Sequence, residues 1–428
     1  MMLITAFRGQ LGHSILITGR DNVDMLIDGG TAAEYRAHIA PLLARVRRNG
    51  RKLRCICLTA PVLGRIDGIV QLFEDAVHHR IAAYQHNTGN REFRKTAAPQ
   101  PPAVGAVWFN SVHELAGITA AGLAEQLEAQ ATWIALVKAQ APAAPKSVLA
   151  AIQQSERLAA LLSPRELGIP RNPEVDGRPL RQQDRANGIR LGALTVDVIG
   201  PLPHDLESCG GDWTRWLRET NEAHARLMER AGLQAVVRAA IAASDRHESI
   251  FALAAALRPA AAAGIPDLPS IILLIREKQA SMLIPGTASV DTILLGLARS
   301  GRLDSDGAAH FNVLQLPVSA SARTATEDFF RRITADHYLL ATGSVNRRPS
   351  VEMIEGLFSA RLADARARKP FTVWVNDDAT SIESASNADV QRFWDHVASR
   401  IKVSRGTARC KFLPRRADAL RLEVRAKG

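Results

Sequence analysis

Short apolar runs alternate with amphipathic stretches along the whole chain, and their periods separate strands from helices. Residues 3–7, 14–18 and 23–27 are brief, β-prone and bounded by Gly or Asp, which predicts three strands. Thr31 then offers an N-cap. Tyr35, Ile39, Leu42, Leu43 and Val46 share one helical face, predicting a helix to about Arg48. Residues 52–57 read as a buried strand, 58–68 (LTAPVLGRIDG) as a loop, 68–76 as a helix and 81–84 as a strand. A Pro-rich loop over 94–105 leads to a strand at 107–110. Ser111 opens an Ala/Leu-rich helical stretch to about Gln140, and APAAPK separates it from a helix over 147–162.

The second half repeats the strand–helix alternation. Residues 189–191 and 194–199 pair as strands, and 212–262 read as Ala-rich helices. A hairpin follows at 270–275 and 281–284, then helix 288–298, strand 311–316, helix 324–333, strand 338–341 and helix 351–365. Strand 371–375, helix 388–399 and one or two tail strands complete the pattern. Leu420, Leu422 and Val424 alternate with Arg421, Glu423 and Arg425, as in a terminal strand with a charged outer face. Two halves that each mix strands and helices predict an α+β chain: two sheets face to face with helices outside.

Composition narrows the class. Hydrophobic residues make up 46% and charged residues 23% of the 428, ordinary values for a soluble globular protein. No apolar run approaches a membrane span, and the first residues have no signal-peptide layout. The expectation is a cytoplasmic protein with no membrane partner, and the Ala and Arg bias suggests a bacterial source. The four cysteines lack zinc-finger spacing; Cys55 and Cys57 share one strand face and read as small buried hydrophobes. Net charge is +11, and residues 400–428 hold ten Lys/Arg against Asp418 and Glu423. Such a basic segment suits nucleic acid or an acidic partner.

The loop over 58–68 is placed where α/β proteins put chemistry, yet it has no His or Cys and only one carboxylate. IDGG (27–30), followed by a helix and a strand ending in Leu58–Thr59, resembles the metallo-β-lactamase superfamily, in its branch similar to ComEC-type hydrolase domains. LIREKQASMLIPGTAS, NVLQLPVSASARTATEDFF and ADHYLLATGS match later landmarks of that family in order. The resemblance implies a four-layer αββα sandwich over residues 1–398, with helical insertions near 111–188 and 212–262 and a basic C-terminal strand segment over 399–428.

That family binds one or two divalent metals, Zn or Mn, through a Thr-His-x-His/Asp-x-Asp-His loop and later Asp and His ligands, and the metal activates a water. Carried onto this chain, the ligand positions hold Ala60, Val62, Gly64 and Arg65, then Thr287, then Val318 and Ser319. His13 stands where an early Asp would be, and Asp67 where a Gly would be. Asp28 and Gly68 are kept. Ala and Val offer no lone pairs, and a fixed Arg charge repels a dication at short range. The resemblance with these departures implies no catalytic residue, no metal and no cofactor, and a pocket drawn from His13, Asp28, Arg65 and Asp67. The expected function is an inactive member acting as a scaffold or regulator with a protein partner. Nucleic acid through the basic tail is a further option. The alternative is a phosphodiesterase or nuclease-like hydrolase with a relocated metal site.

Arg65 has two readings. The commoner arrangement is an exposed loop Arg pointing away; the other is a guanidinium in the former metal pocket, pairing with Asp28 or binding an anion. His78, His79 and His86 flank the strand expected at 81–84 and lack companion carboxylates for a metal site. Ser321 has no base placed beside it by sequence. Trp213 and Trp216 lie three apart on a helix and are expected to cover the core beneath the insertion.

Overall fold

The computed structural model describes residues 1–9, 13–90, 92–94, 96–119, 122–123, 143–182, 188–231, 268–316, 326–340, 351–363, 369–376, 388–404 and 406–424. These residues form two mixed sheets with helices. The first sheet has the order β14-β1-β2-β3-β4-β5 and the second β13-β12-β11-β10-β9-β8-β7-β6. Their strands are β1 (Met2–Phe7), β2 (Ile15–Thr18), β3 (Asp24–Ile27), β4 (Leu53–Cys57), β5 (Val107–Trp108), β6 (Ile189–Leu191), β7 (Leu194–Gly200), β8 (Ile272–Glu277), β9 (Ala280–Ile284), β10 (Ala309–Gln315), β11 (Ile333–Leu340), β12 (Phe371–Val375), β13 (Ala408–Phe412) and β14 (Ala419–Val424). Each sheet is antiparallel at one side and parallel at the other: β14 through β3 and β6 through β9 run antiparallel, while β3–β4–β5 and β9 through β13 run parallel.

Three large clusters follow from the alternation of side chains along these strands. One joins the two sheets, with Ile4, Ile17, Met25, Cys55 and Cys57 of the first beside Val196, Leu273, Met282 and Val313 of the second. A second packs Leu43, Ile69, Phe73 and Leu158 against Phe7, Leu26 and Ile56 of the first sheet. The third packs Ile293, Phe329, Leu357 and Phe393 against Leu283, Leu314 and Val373 of the second sheet. Cys55 and Cys57 therefore share an inner face, and burial holds both thiols well above the ordinary cysteine range.

Local signals explain most boundaries. Thr31 caps α1 (Ala32–Glu34), which continues through a π-helical turn (Tyr35–Ile39) into α2 (Ala40–Arg48). Thr31 Oγ1 accepts from Glu34 N–H at 3.2 Å, and Glu34 Oε2 accepts from Thr31 N–H at 2.8 Å, a reciprocal capping box. Thr31→Ala is expected to lower stability by about 1 kcal/mol in a denaturant titration. An unchanged midpoint would mean that packing of Tyr35 and Ile39 alone sets this helix start.

The structure corrects several sequence expectations. Residues 81–84 are not a strand but part of α3 (Asp67–Asn87). The run Ile81–Tyr84 is too short to settle its period, and both of those end residues are exposed on the helix. Ser111 opens α4 (Val112–Leu115), which ends before Gly117 at φ +68°; residues 122–123 are helical again, and the rest of the expected stretch, 120–121 and 124–140, lies outside the described residues. α5 (Ala143–Leu162) starts four residues before the expected Ser147, because Pro145 is tolerated in a first helical turn. α6 (Pro203–Ala231) starts nine residues early and carries Gly210 and Gly211 inside it. Trp213 and Trp216 stack edge to face at 5.4 Å beside Val112, Leu115 and Ile152, covering the core as expected.

The tail behaves as its alternation predicts. β14 pairs antiparallel with β1, burying Leu420, Leu422 and Val424 while Arg421 and Glu423 stay exposed. Each such buried aliphatic contributes about 1.5–3 kcal/mol, so the last strand is part of the core. The expected division at 398/399 falls inside a helix spanning Ala388–Val403. No helix among the described residues is long and apolar enough to cross a membrane.

Candidate functional site

The C-terminal ends of β3 and β4 and the segments that follow them meet the segment after β9 at one corner. IDGG leaves β3 with Asp28 in the left-handed region (φ +55°), a conformation that Asp tolerates better than most residues. Asp28 N–H donates to Cys57 C=O at 2.8 Å, which ties the end of β3 to the end of β4. Gly29 N–H donates to Arg65 C=O at 2.7 Å, and Gly68 N–H to Gly30 C=O at 3.0 Å. A Cβ on Gly68 would sit 1.8 Å from the Gly29 carbonyl oxygen, so only glycine lets the start of α3 approach this turn.

These contacts aim three side chains at one another. Asp28 Oδ1 accepts from Thr59 N–H at 2.7 Å, and Thr59 Oγ1 lies 2.8 Å from Oδ2. Arg65 Nη1 donates to Thr59 Oγ1 at 2.6 Å and stands 3.8 Å from Asp28 Oδ2. The hydroxyl thus bridges guanidinium and carboxylate: it accepts from the first and donates to the second. Asp28 is 1% exposed and Arg65 5% exposed. Burial pushes the Asp28 carboxyl above the usual carboxylate range, while the Arg65 charge and the Thr59 donors pull the other way.

The commoner reading of Arg65, an exposed side chain pointing away, is therefore overturned. The loop itself turns it inward: Val62 C=O accepts from both Arg65 N–H and Ile66 N–H, and Gly64 adopts φ +83°. Arg65 Nη1 also lies 3.5 Å from the position a Cβ would take on Gly286, so the guanidinium spans from the first sheet toward the loop after β9. There Ser270 Oγ and Thr287 Oγ1 lie 2.6 Å apart, and Thr287 N–H donates to Ser270 Oγ at 3.0 Å. Ile271 N–H donates to Thr59 C=O at 2.7 Å and closes the same corner.

The other expected positions separate. Ala60 is buried, Val62 and Gly64 shape the loop, and Thr287 is engaged with Ser270. Asp67 Oδ2 accepts from Gly64 N–H at 3.2 Å and so serves its own turn at the start of α3; its burial raises its carboxyl above the ordinary range, partly offset by that donor. Val318, Ser319 and Ser321 lie outside the described residues.

His13 joins the corner through its main chain, its C=O accepting from Gly30 N–H at 3.2 Å, but its ring turns elsewhere. Nδ1 meets Gln315 Nε2 at 3.0 Å. Among the described residues, His13 Nε2 and Gln315 Oε1 are buried with no hydrogen-bond partner. Both residues line a cavity of about 20 Å³ with Ala6, Ile15, Leu340 and Trp374, room for about one water. Burial and the nearby Arg65 charge pull the His13 imidazole down to about 3, so it is neutral at ordinary pH.

His78, His79 and His86 all lie on α3, and His79 Nε2 bonds Ala98 C=O at 2.9 Å. Among the described residues, no three His, Cys, Asp or Glu side chains group closely enough to hold a metal ion. Thr59, Gln315 and Ser270 escaped the sequence reading. Thr59 had a signal, as the residue opening the loop after β4; Gln315 and Ser270 had none, because both become partners only through tertiary contacts. No family model matches the chain, and no curated protein matches it significantly.

Proposed function

We propose that this chain is a metallo-β-lactamase-type αββα sandwich whose metal-binding corner has become a structural ion-pair corner, and that it acts by binding rather than by hydrolysis. The observation that carries the reading is the buried Arg65 guanidinium, held by Thr59 and facing Asp28. A cation fixed in the protein there supplies the positive charge that a bound metal would otherwise bring. The sandwich reading is supported by the shared core between the two mixed sheets and by the separate helix-lined core of each.

In this reading the corner does three things. Thr59 relays the Arg65 charge to Asp28 through one hydroxyl. Asp28 fixes the IDGG turn from inside. Gly68 lets α3 close over both. A partner protein engages the outer surfaces, and the protein serves as a scaffold or regulator.

Metal content after purification without chelators is the direct test. The expected result is sub-stoichiometric Zn, Mn, Fe and Ni, with no turnover of a chromogenic phosphodiester when Zn or Mn is added. One tightly held metal per chain, or metal-dependent turnover, would overturn the reading and establish a relocated hydrolase centre.

A further inference from the structure

Among the described residues, β13 is an edge strand of the second sheet with no further strand beside it. Two hydrogen bonds set the phase of its ladder with β12: Phe371 N–H to Thr407 C=O at 2.9 Å, and Leu413 N–H to Val375 C=O at 3.1 Å. With that phase, Arg409 and Lys411 turn their main-chain groups to β12, whereas Cys410 and Phe412 turn theirs outward. Among the described residues, neither outward pair has a hydrogen-bond partner. Ala408, the other outward residue, is occupied by Ser404, whose Oγ accepts its N–H at 3.1 Å. The open stretch is therefore short and has a defined start.

From residue 402 to residue 416 every charged residue of the sequence is basic. Arg409 and Lys411 project from the strand and are exposed, as are Lys402 before it and Arg415 and Arg416 after it. Among the described residues none of the five makes an ion pair, although Lys411 Nζ lies 4.6 Å over the Trp374 ring. The nearest acid in sequence, Asp418, is already engaged by His38 Nδ1 at 3.0 Å. Phe412 touches Trp394, with ring centroids 5.6 Å apart, yet remains exposed and offers an apolar foothold beside the open groups.

Charges on an edge strand prevent it from pairing with a copy of itself. The same charges attract a strand of opposite sign. Nucleic acid would satisfy the cations but has no main chain to match the outward N–H and C=O groups. We propose that β13 is a docking edge for an extended acidic peptide segment of a partner protein, which adds to the second sheet as a further strand. This deepens the reading that the chain acts by binding and rests on it.

The test uses the full chain and fluorescence anisotropy with a labelled octapeptide of alternating Glu and Val. Controls are a Lys/Val octapeptide, a Glu/Pro octapeptide of the same charge, and a single-stranded oligonucleotide. The Glu/Val peptide is expected to bind, with the Glu/Pro peptide weaker by at least about tenfold because it lacks half of the main-chain donors. The R409E/K411E variant, and separately Phe412→Pro, which removes an outward N–H, should each lose about tenfold or more. The Glu/Pro control carries the main-chain test even if Phe412→Pro folds poorly. No binding of the Glu/Val peptide, equal binding of the Glu/Pro peptide, or tighter binding of the oligonucleotide that R409E/K411E abolishes would each overturn the proposal. Those outcomes leave the metal measurement untouched, so failure of the docking edge is distinguishable from failure of the binding reading as a whole.

Discussion

Arg65→Ala is expected to destabilise the protein by about 3–5 kcal/mol in an equilibrium denaturant titration at neutral pH, the loss typical of removing one partner from a buried pair. The physical reason is local. Asp28 is buried and sits in a left-handed turn that cannot move away, because its N–H is held by Cys57 C=O. Without the guanidinium, Thr59 loses the donor to its hydroxyl, and among the described residues the carboxylate keeps the Thr59 donors alone. Burial already raises the Asp28 carboxyl, and loss of Arg65 raises it further. A carboxyl raised in the folded state favours folding more as pH falls, because the neutral form then occupies the site. The Arg65→Ala defect should therefore shrink on going from neutral to mildly acidic pH. Arg65→Lys keeps the charge but not the planar fork, and should recover only part of the loss. In a double-mutant cycle with Asp28→Asn, the two changes should cost less together than their sum. A defect below about 0.5 kcal/mol, as for an ordinary surface change, would show that Arg65 does not hold this corner.

The history of Arg65 shows what the sequence could and could not reveal. Its position in the loop was readable, because IDGG, the apolar strand before it and Gly68 locate the corner. Its direction was not. Whether a loop arginine points out or in depends on the Val62 carbonyl, the left-handed Gly64 and the distant Gly286, and no local period encodes those contacts. The same division holds for the fold. The strands and the capped helix at Thr31 carry strong short-range signals, and the alternating tail announced β14. The strand expected at 81–84 failed for the opposite reason: four apolar residues fit either period, and the winning contacts came from continuation of α3. Gln315 could not be found at all, since its partner His13 is 302 positions away.

That distant pairing gives the second large expected effect, an acid sensitivity that belongs to His13. Its imidazole titrates at about 3 in the folded chain against 6.5 in an unfolded one. Between those values the unfolded state binds the extra proton, so stability falls as pH falls. The slope is about 1.4 kcal/mol per pH unit, which amounts to roughly 3 kcal/mol on going from pH 6.5 to pH 4. Among the described residues the cavity lining, from Ala6 and Ser14 to Asn376 and Leu420, includes no carboxylate to offset it, and Arg65 repels a charged ring. Asp24, Asp28 and Asp67 complicate a wild-type profile alone, because burial raises each of them and their contribution runs the other way. His310, lowered chiefly by burial, adds in the same direction as His13. The comparison that isolates His13 is wild type against His13→Gln, titrated with denaturant at several pH values from 7 to 4. Wild type should lose stability faster on acidification, and the difference between the two should shift toward the variant by about 3 kcal/mol over that span. Parallel profiles would mean that the ring gains a proton partner in the folded protein, and that His13 Nε2 is not the unsatisfied group its burial makes it.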